Sequence, residues 1–419
     1  MLLVLKRHFS KTGQIFRKID RNARTCLLVE PFWGVPFNLY TTYASLYMLA
    51  LGCSEAQIGL LASVSLIIQM GLALIGGYIT DRLGRRRTTL IFDLFSWTIP
   101  TLVWAFAQNF YYFLAAAVIN SFVQIVRTSW SCLLIEETPA KLRVHVYAWI
   151  YVAGILAGFF APLAGFIVGR FSLIPATRGL FFFAFLSMTT MFLLRNYFTH
   201  EPKMGVVKSR EARGLRLSDT LKEYRRIILR LVKTPFILAA FFLAALNNIC
   251  ITIKRTFLSI LLVEGLHFPK GTIALFPAIH SAVMLVVLFL IMPTLARFNP
   301  KKPLLLGLLA SFAGYLILTL AATENYFMVV SGTVLTAFGM AIVFPIADAI
   351  VANAIVDEDR AKMMSIFFII FFGASAPFGY LGGVLSSISE RLPFVLVLGV
   401  LLVSILMVTF LDRRHLKNS

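Results

Sequence analysis

Several shortages limit what this chain of 419 residues can be. Charged residues supply only 14% of it, too few to keep a surface of this size in water, so a soluble globular protein is excluded. Histidine is sparse: His8, His145, His200, His267, His280 and His415 form no spaced pair. A nucleotide-binding glycine loop of the Walker type is missing as well, so the chain reads as no enzyme, with no metal site, no cofactor and no direct use of ATP. The four cysteines, Cys26, Cys53, Cys132 and Cys250, lack metal-ligand spacing and read as small apolar fillers. Acidic residues number 19 against 39 lysines and arginines, a formal net charge of +20.

Apolar residues are abundant, at 59% with a mean hydropathy of +0.84, and they mark an integral membrane protein. Crossing a hydrocarbon core of roughly 30 Å takes about 20 apolar residues in helical form. Twelve runs qualify: 27–50, 56–79, 88–107, 110–134, 145–169, 178–197, 235–262, 271–295, 303–322, 325–353, 363–388 and 392–411, numbered here as spans 1 to 12. Of the 39 basic residues, 32 fall in the segments on the side that holds both termini. By the positive-inside rule that side is cytoplasmic, so the expectation is a multi-pass protein of the cell membrane with both termini inside. The basicity therefore reads as topology and as attraction to anionic lipid, with no nucleic-acid partner.

A cleavable signal peptide is not expected, because Met1–Leu5 is far shorter than an h-region and basic residues follow. In residues 1–26, Phe9, Ile15, Phe16 and Ile19 alternate with basic residues, which suits either a helix on the inner surface or a plain charged flank. Residues 27–197 form a first six-span bundle, 235–412 a second, and 413–419 a cytoplasmic tail. The linker 198–234 carries a surface helix capped by Ser218 and Asp219, with Leu221, Tyr224, Ile228 and Leu231 on one face. The halves echo each other: Leu51–Gly59 matches Glu264–Thr272, and the loops Glu136–Arg143 and Asp357–Lys362 each precede an Ala-Pro, at Ala161-Pro162 and Ala376-Pro377. Such internal symmetry is expected of transporters built from repeats.

Between spans 2 and 3 the chain reads Gly77-Tyr78-Ile79-Thr80-Asp81-Arg82-Leu83-Gly84-Arg85-Arg86-Arg87. Gly77 would let helices approach, Gly84 would allow a tight turn, and Asp81 would cap a helix or pair with a cation. This stretch resembles the signature loop of the major facilitator superfamily, Gly-x-x-x-Asp-Arg-x-Gly-Arg-Arg, with every fixed position met. The resemblance covers the whole chain through span count, linker and inside termini. It implies an all-α membrane fold of two pseudo-symmetric six-helix bundles, a cavity lined by spans 1, 4, 7 and 10, and a gate formed by Gly77, Asp81, Arg82, Gly84, Arg85 and Arg86 with Glu136 as partner of Arg85. The second copy of the loop, Arg297–Lys302, lacks the aspartate.

Polar residues on those spans are the candidate cavity. Span 4 aligns Asn120, Gln124, Arg127 and Ser131 on one helical face, span 7 aligns Asn248, Thr252, Arg255 and Ser259, and span 1 offers Asn38, Thr41, Thr42 and Ser45. For any single Asn or Thr, interhelical hydrogen bonding is the competing reading. Charges inside spans are costlier, so Arg127 and Asp348, at matched depth in the two halves, are expected to pair across the cavity or to bind substrate separately. Asp348 is the first candidate for a coupling proton and Glu30 the second, although Glu30 also suits the interface. Asp93 suits a structural role, and Lys254 and Arg255, toward the outer end of span 7, suit side chains that can snorkel. Trp33, Tyr40, Tyr43, Tyr47 and Trp130 would suit an amphipathic substrate.

Span 5 resembles a degenerate antiporter motif of drug exporters, with Pro162 and Gly165 in place and Ala157, Ala161 and Phe166 replacing glycines. The expected function is proton-coupled efflux of a small amphipathic compound by a monomer. The alternatives are uptake or exchange of an anionic or zwitterionic metabolite, favoured by Arg127 and Arg255, and a non-transporting lipid-binding or sensor protein on the same scaffold.

Overall fold

The computed structural model describes residues 16, 18–212, 235–295, 297–354 and 360–410. The linker helix expected at 218–231, the loop acids Asp357 and Glu358 and the tail 413–419 lie outside the described residues. Among the described residues the regular structure is helical, and ten helices are long and apolar enough to cross a membrane. They are Glu55–Leu83, Phe110–Ile135, Ala140–Phe171, Leu173–Phe198, Ile237–Gly265, Leu275–Leu295, Lys301–Leu320, Tyr326–Val351, Met363–Ile388 and Leu392–Phe410. These match spans 2, 4 to 6 and 7 to 12.

Spans 1 and 3 are the exceptions to the expected twelve continuous helices, for local reasons. Span 1 is broken into Pro31–Thr41 and Ala44–Ala50, preceded by a separate helix Arg21–Val29. A proline at the start of a helix costs little, because the first N–H groups have no intrahelical partner, whereas Pro36 in the interior removes a bond. Span 3 runs as Arg85–Asp93, a π-helical turn Leu94–Thr98, and Ile99–Ala105, with Pro100 just past the turn. Both broken rods pack against span 6, so each keeps a place in the first bundle.

The first bundle is locked by aromatic packing and one buried ion pair. Tyr40, Tyr43 and Tyr47 are buried, which corrects the expectation that they line the cavity; Tyr40 and Tyr47 both pack against Phe181 of span 6. Tyr47 donates to the Trp104 carbonyl at 3.0 Å. Trp130 belongs to a separate cluster around Cys26, Leu133 and Val146. Asp93 of span 3 pairs with Arg195 of span 6, both nearly sealed from solvent, as the structural reading of Asp93 required.

The two bundles meet backbone to backbone at the end away from the termini. A Cβ on Gly59 would collide with the Gly379 carbonyl, and one on Gly383 would sit 2.6 Å from the Glu55 carbonyl. The Ser63 hydroxyl donates to the Ala376 carbonyl and accepts from the Tyr380 N–H at 2.7 Å, the two groups that a regular helix would join to each other. On the opposite flank Gly165 lies against the Gly271 carbonyl and Gly158 against the Ser281 hydroxyl, and Tyr43 donates to the Lys270 carbonyl at 2.7 Å. Toward the other end Val144, Tyr147 and Tyr151 of span 5 are exposed.

Adding a methyl at this seam should push the bundles apart. Overpacking a tight contact costs about 1–3 kcal/mol, so Gly383→Ala should shift the population toward a state open at this end. Spin-label distances between Ser54→Cys and Ser387→Cys, both exposed positions, should lengthen in that variant. An unchanged distance distribution would show that the seam does not hold the two bundles together.

Candidate functional site

The loop between spans 2 and 3 is built around one buried arginine. Gly84 has φ +87°, a conformation that disfavours any side chain, and Glu201 lies where its Cβ would be. The helix that follows starts without a Ser, Thr, Asp or Asn cap, so its first N–H groups need another acceptor. Glu201, just past span 6, supplies it: its carboxylate accepts from Arg85 N at 2.6 Å and Arg86 N at 2.9 Å. Arg85 itself is only 4% exposed, with Nε 3.0 Å from Glu136 and Nη1 2.8 Å from Asp81. The Arg85–Glu136 contact, which the family resemblance implied for the outward-facing state, is made in this conformation. Asp81 serves as the ion-pair partner and Glu201 as the cap. Arg86 donates to the Asn196 carbonyl at 2.9 Å, and Arg82 to the Tyr78 hydroxyl at 3.0 Å. Gly77 faces open space; Gly76 makes the close approach, to Thr128 and Ile125 of span 4.

Beside this loop Asp20, Glu137 and His200 come together, their ligand atoms within 4.8 Å of one another. His200 and Glu137 are 2.6 Å apart, Glu137 also accepts from Lys203 N, and Asp20 caps the helix Arg21–Val29. The trio staples three segments that are remote in sequence, and no spacing rule would have grouped them.

Between the bundles lies a cavity of about 360 Å³, lined by spans 1, 7, 8, 9 and 10. Asn38, Thr41, Thr42 and Arg255 line it as expected, as does Ser259. Arg255 stands over the Phe37 ring at 5.5 Å. Lys254, expected to snorkel outward, also lines the cavity, its Nζ 3.9 Å from the Met340 sulfur of span 10. His280 lines it from span 8 and went unnoticed in the sequence, where it is a lone histidine in an apolar run.

The polar face of span 4 does not survive. Around Ser121 and Phe122 the helix tightens to i→i−3 bonds, so residues beyond that point are rotated relative to those before it. Asn120 turns to span 3 and donates to the Ser96 carbonyl at 2.7 Å, within the π-helical turn. Gln124 is buried at 1% exposure with neither amide atom partnered. Arg127 alone is exposed on this stretch, its guanidinium 5.8 Å from the Phe368 ring of span 11. In span 7, Asn248 donates to the Ser375 hydroxyl at 2.9 Å, an interhelical bond, and Thr252 is half-buried and not among the residues lining the cavity.

Arg127 and Asp348 do not pair. Asp348 is exposed near the end of span 10, within electrostatic reach of Tyr151 of span 5, and among the described residues no carboxylate lies within ion-pair distance of Arg127, Lys254 or Arg255. Glu30 is half-buried at the joint between Arg21–Val29 and Pro31–Thr41, where its charged neighbours are Arg195 and Asp93. Pro162 opens the second segment of span 5 after a 3₁₀ turn, and Gly165 contributes to the seam.

Two helical bundles with a cavity between them, and ten helices long and apolar enough to cross a membrane, define a multi-pass membrane protein. The model of the Major Facilitator Superfamily matches residues 34–257 and 241–419, and the chain belongs to that family. Among curated proteins it is similar to the uncharacterized MFS-type transporter YqjV of Bacillus subtilis strain 168, 26% identical over 147 residues. That match spans 35% of this chain and 36% of the relative. Among solved structures it is similar in fold to a mutant form of the nucleoside transporter NupG, with TM-score 0.72 and 14% identity over 93% of this chain and 99% of that one. A D-xylose-proton symporter gives TM-score 0.72 and 16% identity over 94% and 99%. A POT family transporter in complex with 5-aminolevulinic acid gives 0.72 and 14% over 96% and 99%.

Two substitutions test this architecture. Glu201→Ala removes the cap of span 3 and should cost about 1–2 kcal/mol, read as a lowered thermal midpoint of the purified protein; an unaltered midpoint would show the cap to be dispensable. Asp93→Asn leaves Arg195 buried without its counter-charge and should cost about 3–5 kcal/mol. The double variant Asp93→Asn, Arg195→Gln should recover part of that loss.

Proposed function

We propose that this chain is a secondary active transporter that moves a small amphipathic organic solute by alternating access, driven by a proton gradient and in the direction of export. The observation that carries the reading is the cavity between spans 1, 7, 8, 9 and 10, with polar and basic groups in a largely apolar lining, lying behind the glycine seam. Rocking about that seam would open one face as the other closes, because close-packed interfaces switch between discrete arrangements. Charge placement supports a cytoplasmic position for both termini in the cell membrane, which makes this conformation open inward.

Proton coupling rests on Asp348. It is exposed in this conformation, without an ion-pair partner among the described residues, and lies toward the end of the protein that would seal when the bundles rock. A carboxylate that passes between water and a closed interface changes its proton affinity, so its protonation follows the conformation. A D-xylose-proton symporter among the solved structures of similar fold gives a precedent on this scaffold. Export rests on the antiporter-like stretch of span 5, where Gly158 and Gly165 contact span 8 and the substituted alanines still permit close packing. The chain acts as a monomer in this reading, each copy holding a complete cavity.

Everted membrane vesicles with an acidic interior test it. Vesicles holding the wild type should accumulate members of a panel of labelled amphipathic solutes, and collapse of the pH gradient should abolish this. Asp348→Asn should retain solute exchange and lose accumulation. Accumulation that persists in the variant would remove Asp348 from coupling and make Glu30 the group to test. A wild type that moves nothing from the panel would favour a binding or sensing role on this scaffold.

A further inference from the structure

The cavity holds an electrostatic imbalance. Two cations, Lys254 and Arg255, line it, and none of the residues lining it is acidic. Consecutive positions on a helix diverge by about 100°, and the two side chains accordingly reach different walls: Lys254 toward Met340 of span 10, Arg255 over Phe37 of span 1. Arg127, exposed and equally without a carboxylate partner among the described residues, adds a third positive charge that acts on Arg255 from the first bundle. A charge held within the hydrocarbon zone needs a partner or water, and three of one sign repel one another. The protein therefore carries a standing cost that an anion entering the cavity would relieve.

His280 gives an independent sign of a missing ligand. Its Nε2 is buried and has no hydrogen-bond partner, although buried polar atoms are almost always paired. The side chain lines the same cavity, within the electrostatic field of Lys254. The remaining surface is mostly apolar, with Phe276, Leu258 and Phe344 among the lining residues. At about 360 Å³ the space is at the small end of ligand pockets.

We infer that the cavity is a binding site for a small organic carboxylate, its anionic group held by Lys254 and Arg255 with His280 as a hydrogen-bond partner, and its apolar body against the aromatic wall. This deepens the transporter reading and rests on it. Arg255 offers the planar fork that grips a carboxylate through two bonds, and Lys254 a point charge on the other side. A substrate cation meets two like charges here, and a neutral solute leaves both cations unpaired.

The test is equilibrium binding to the full-length protein in detergent, read by thermal stabilisation. The probes are a panel of small aromatic and aliphatic carboxylates, each paired with its neutral amide, together with inorganic phosphate. Carboxylates of the panel should stabilise the protein in a dose-dependent way, and their amides should not. Arg255→Gln and Lys254→Gln should each weaken the best carboxylate by about 10- to 100-fold, the range for a hydrogen bond to a charged group, while Arg255→Lys should retain part of the affinity. Amides that stabilise as well as acids, a panel without effect, or phosphate alone acting would each overturn the proposal. Vesicle transport separates the two readings. Carboxylate binding without movement removes the transporter and keeps the site, and movement of neutral or cationic solutes that no carboxylate inhibits removes the site and keeps the transporter.

Discussion

The rest of the structure depends on the direct contact of backbones at one end of the molecule. Spans 2 and 11 touch through Gly59, Gly379 and Gly383, and spans 5 and 8 through Gly165 and Gly271. In a bilayer there is little hydrophobic drive for helices to associate, so packing of small residues and a few interhelical hydrogen bonds must hold the bundles together. Ser63, bonded to both Ala376 and Tyr380, and Tyr43, bonded to Lys270, are such bonds. Because the contact is concentrated at that end, the helices diverge from it and a cavity forms behind it.

A second constraint governs the opposite end, where the loop between spans 2 and 3 gathers charge. Arg85 is buried between Asp81 and Glu136, and the start of span 3 rests on Glu201. These contacts join spans 2, 3 and 4 to the segment that follows span 6, and all lie within the first bundle. The loop therefore ties spans 2, 3 and 4 together in this conformation. The buried Asp93–Arg195 pair, one turn or more deeper, fastens spans 3 and 6 in the same body. By contrast, the cations of the cavity have no such partners among the described residues. Charges that stiffen the scaffold are paired, whereas Lys254 and Arg255, which line the cavity, have no carboxylate within ion-pair distance among the described residues.

The sequence was legible where the cause is local. Hydropathy located ten continuous helices, because a membrane rewards apolar length whatever the neighbours are. That Gly84 would allow a tight turn and that Asp81 would cap a helix or pair with a cation followed from a few adjacent residues; the structure puts Gly84 at a positive φ and Asp81 on Arg85. It was misleading where a helix departs from regular geometry. The tightened turn at Ser121 and Phe122 rotated Arg127 away from the face of Asn120, and the π-helical turn of span 3 gave Asn120 a carbonyl to satisfy. Periodicity assumes a constant angle per residue, so one tightened turn is enough to break the alignment.

By itself, then, the sequence determined the membrane as solvent, ten of the twelve expected spans as continuous helices, and the family to which the chain belongs, whereas the breaks in spans 1 and 3 were not legible in it. Only the tertiary structure decided which polar residues face the cavity and which are spent on holding helices together. Asn248 was drawn to Ser375 and Tyr47 to Trp104, whereas Lys254 and His280 turned to the cavity. The physical reason is that a polar group in a bilayer takes the nearest partner that geometry allows. For Glu201 and Arg85 that partner is more than a hundred residues away along the chain, at a place fixed only when the helices have packed.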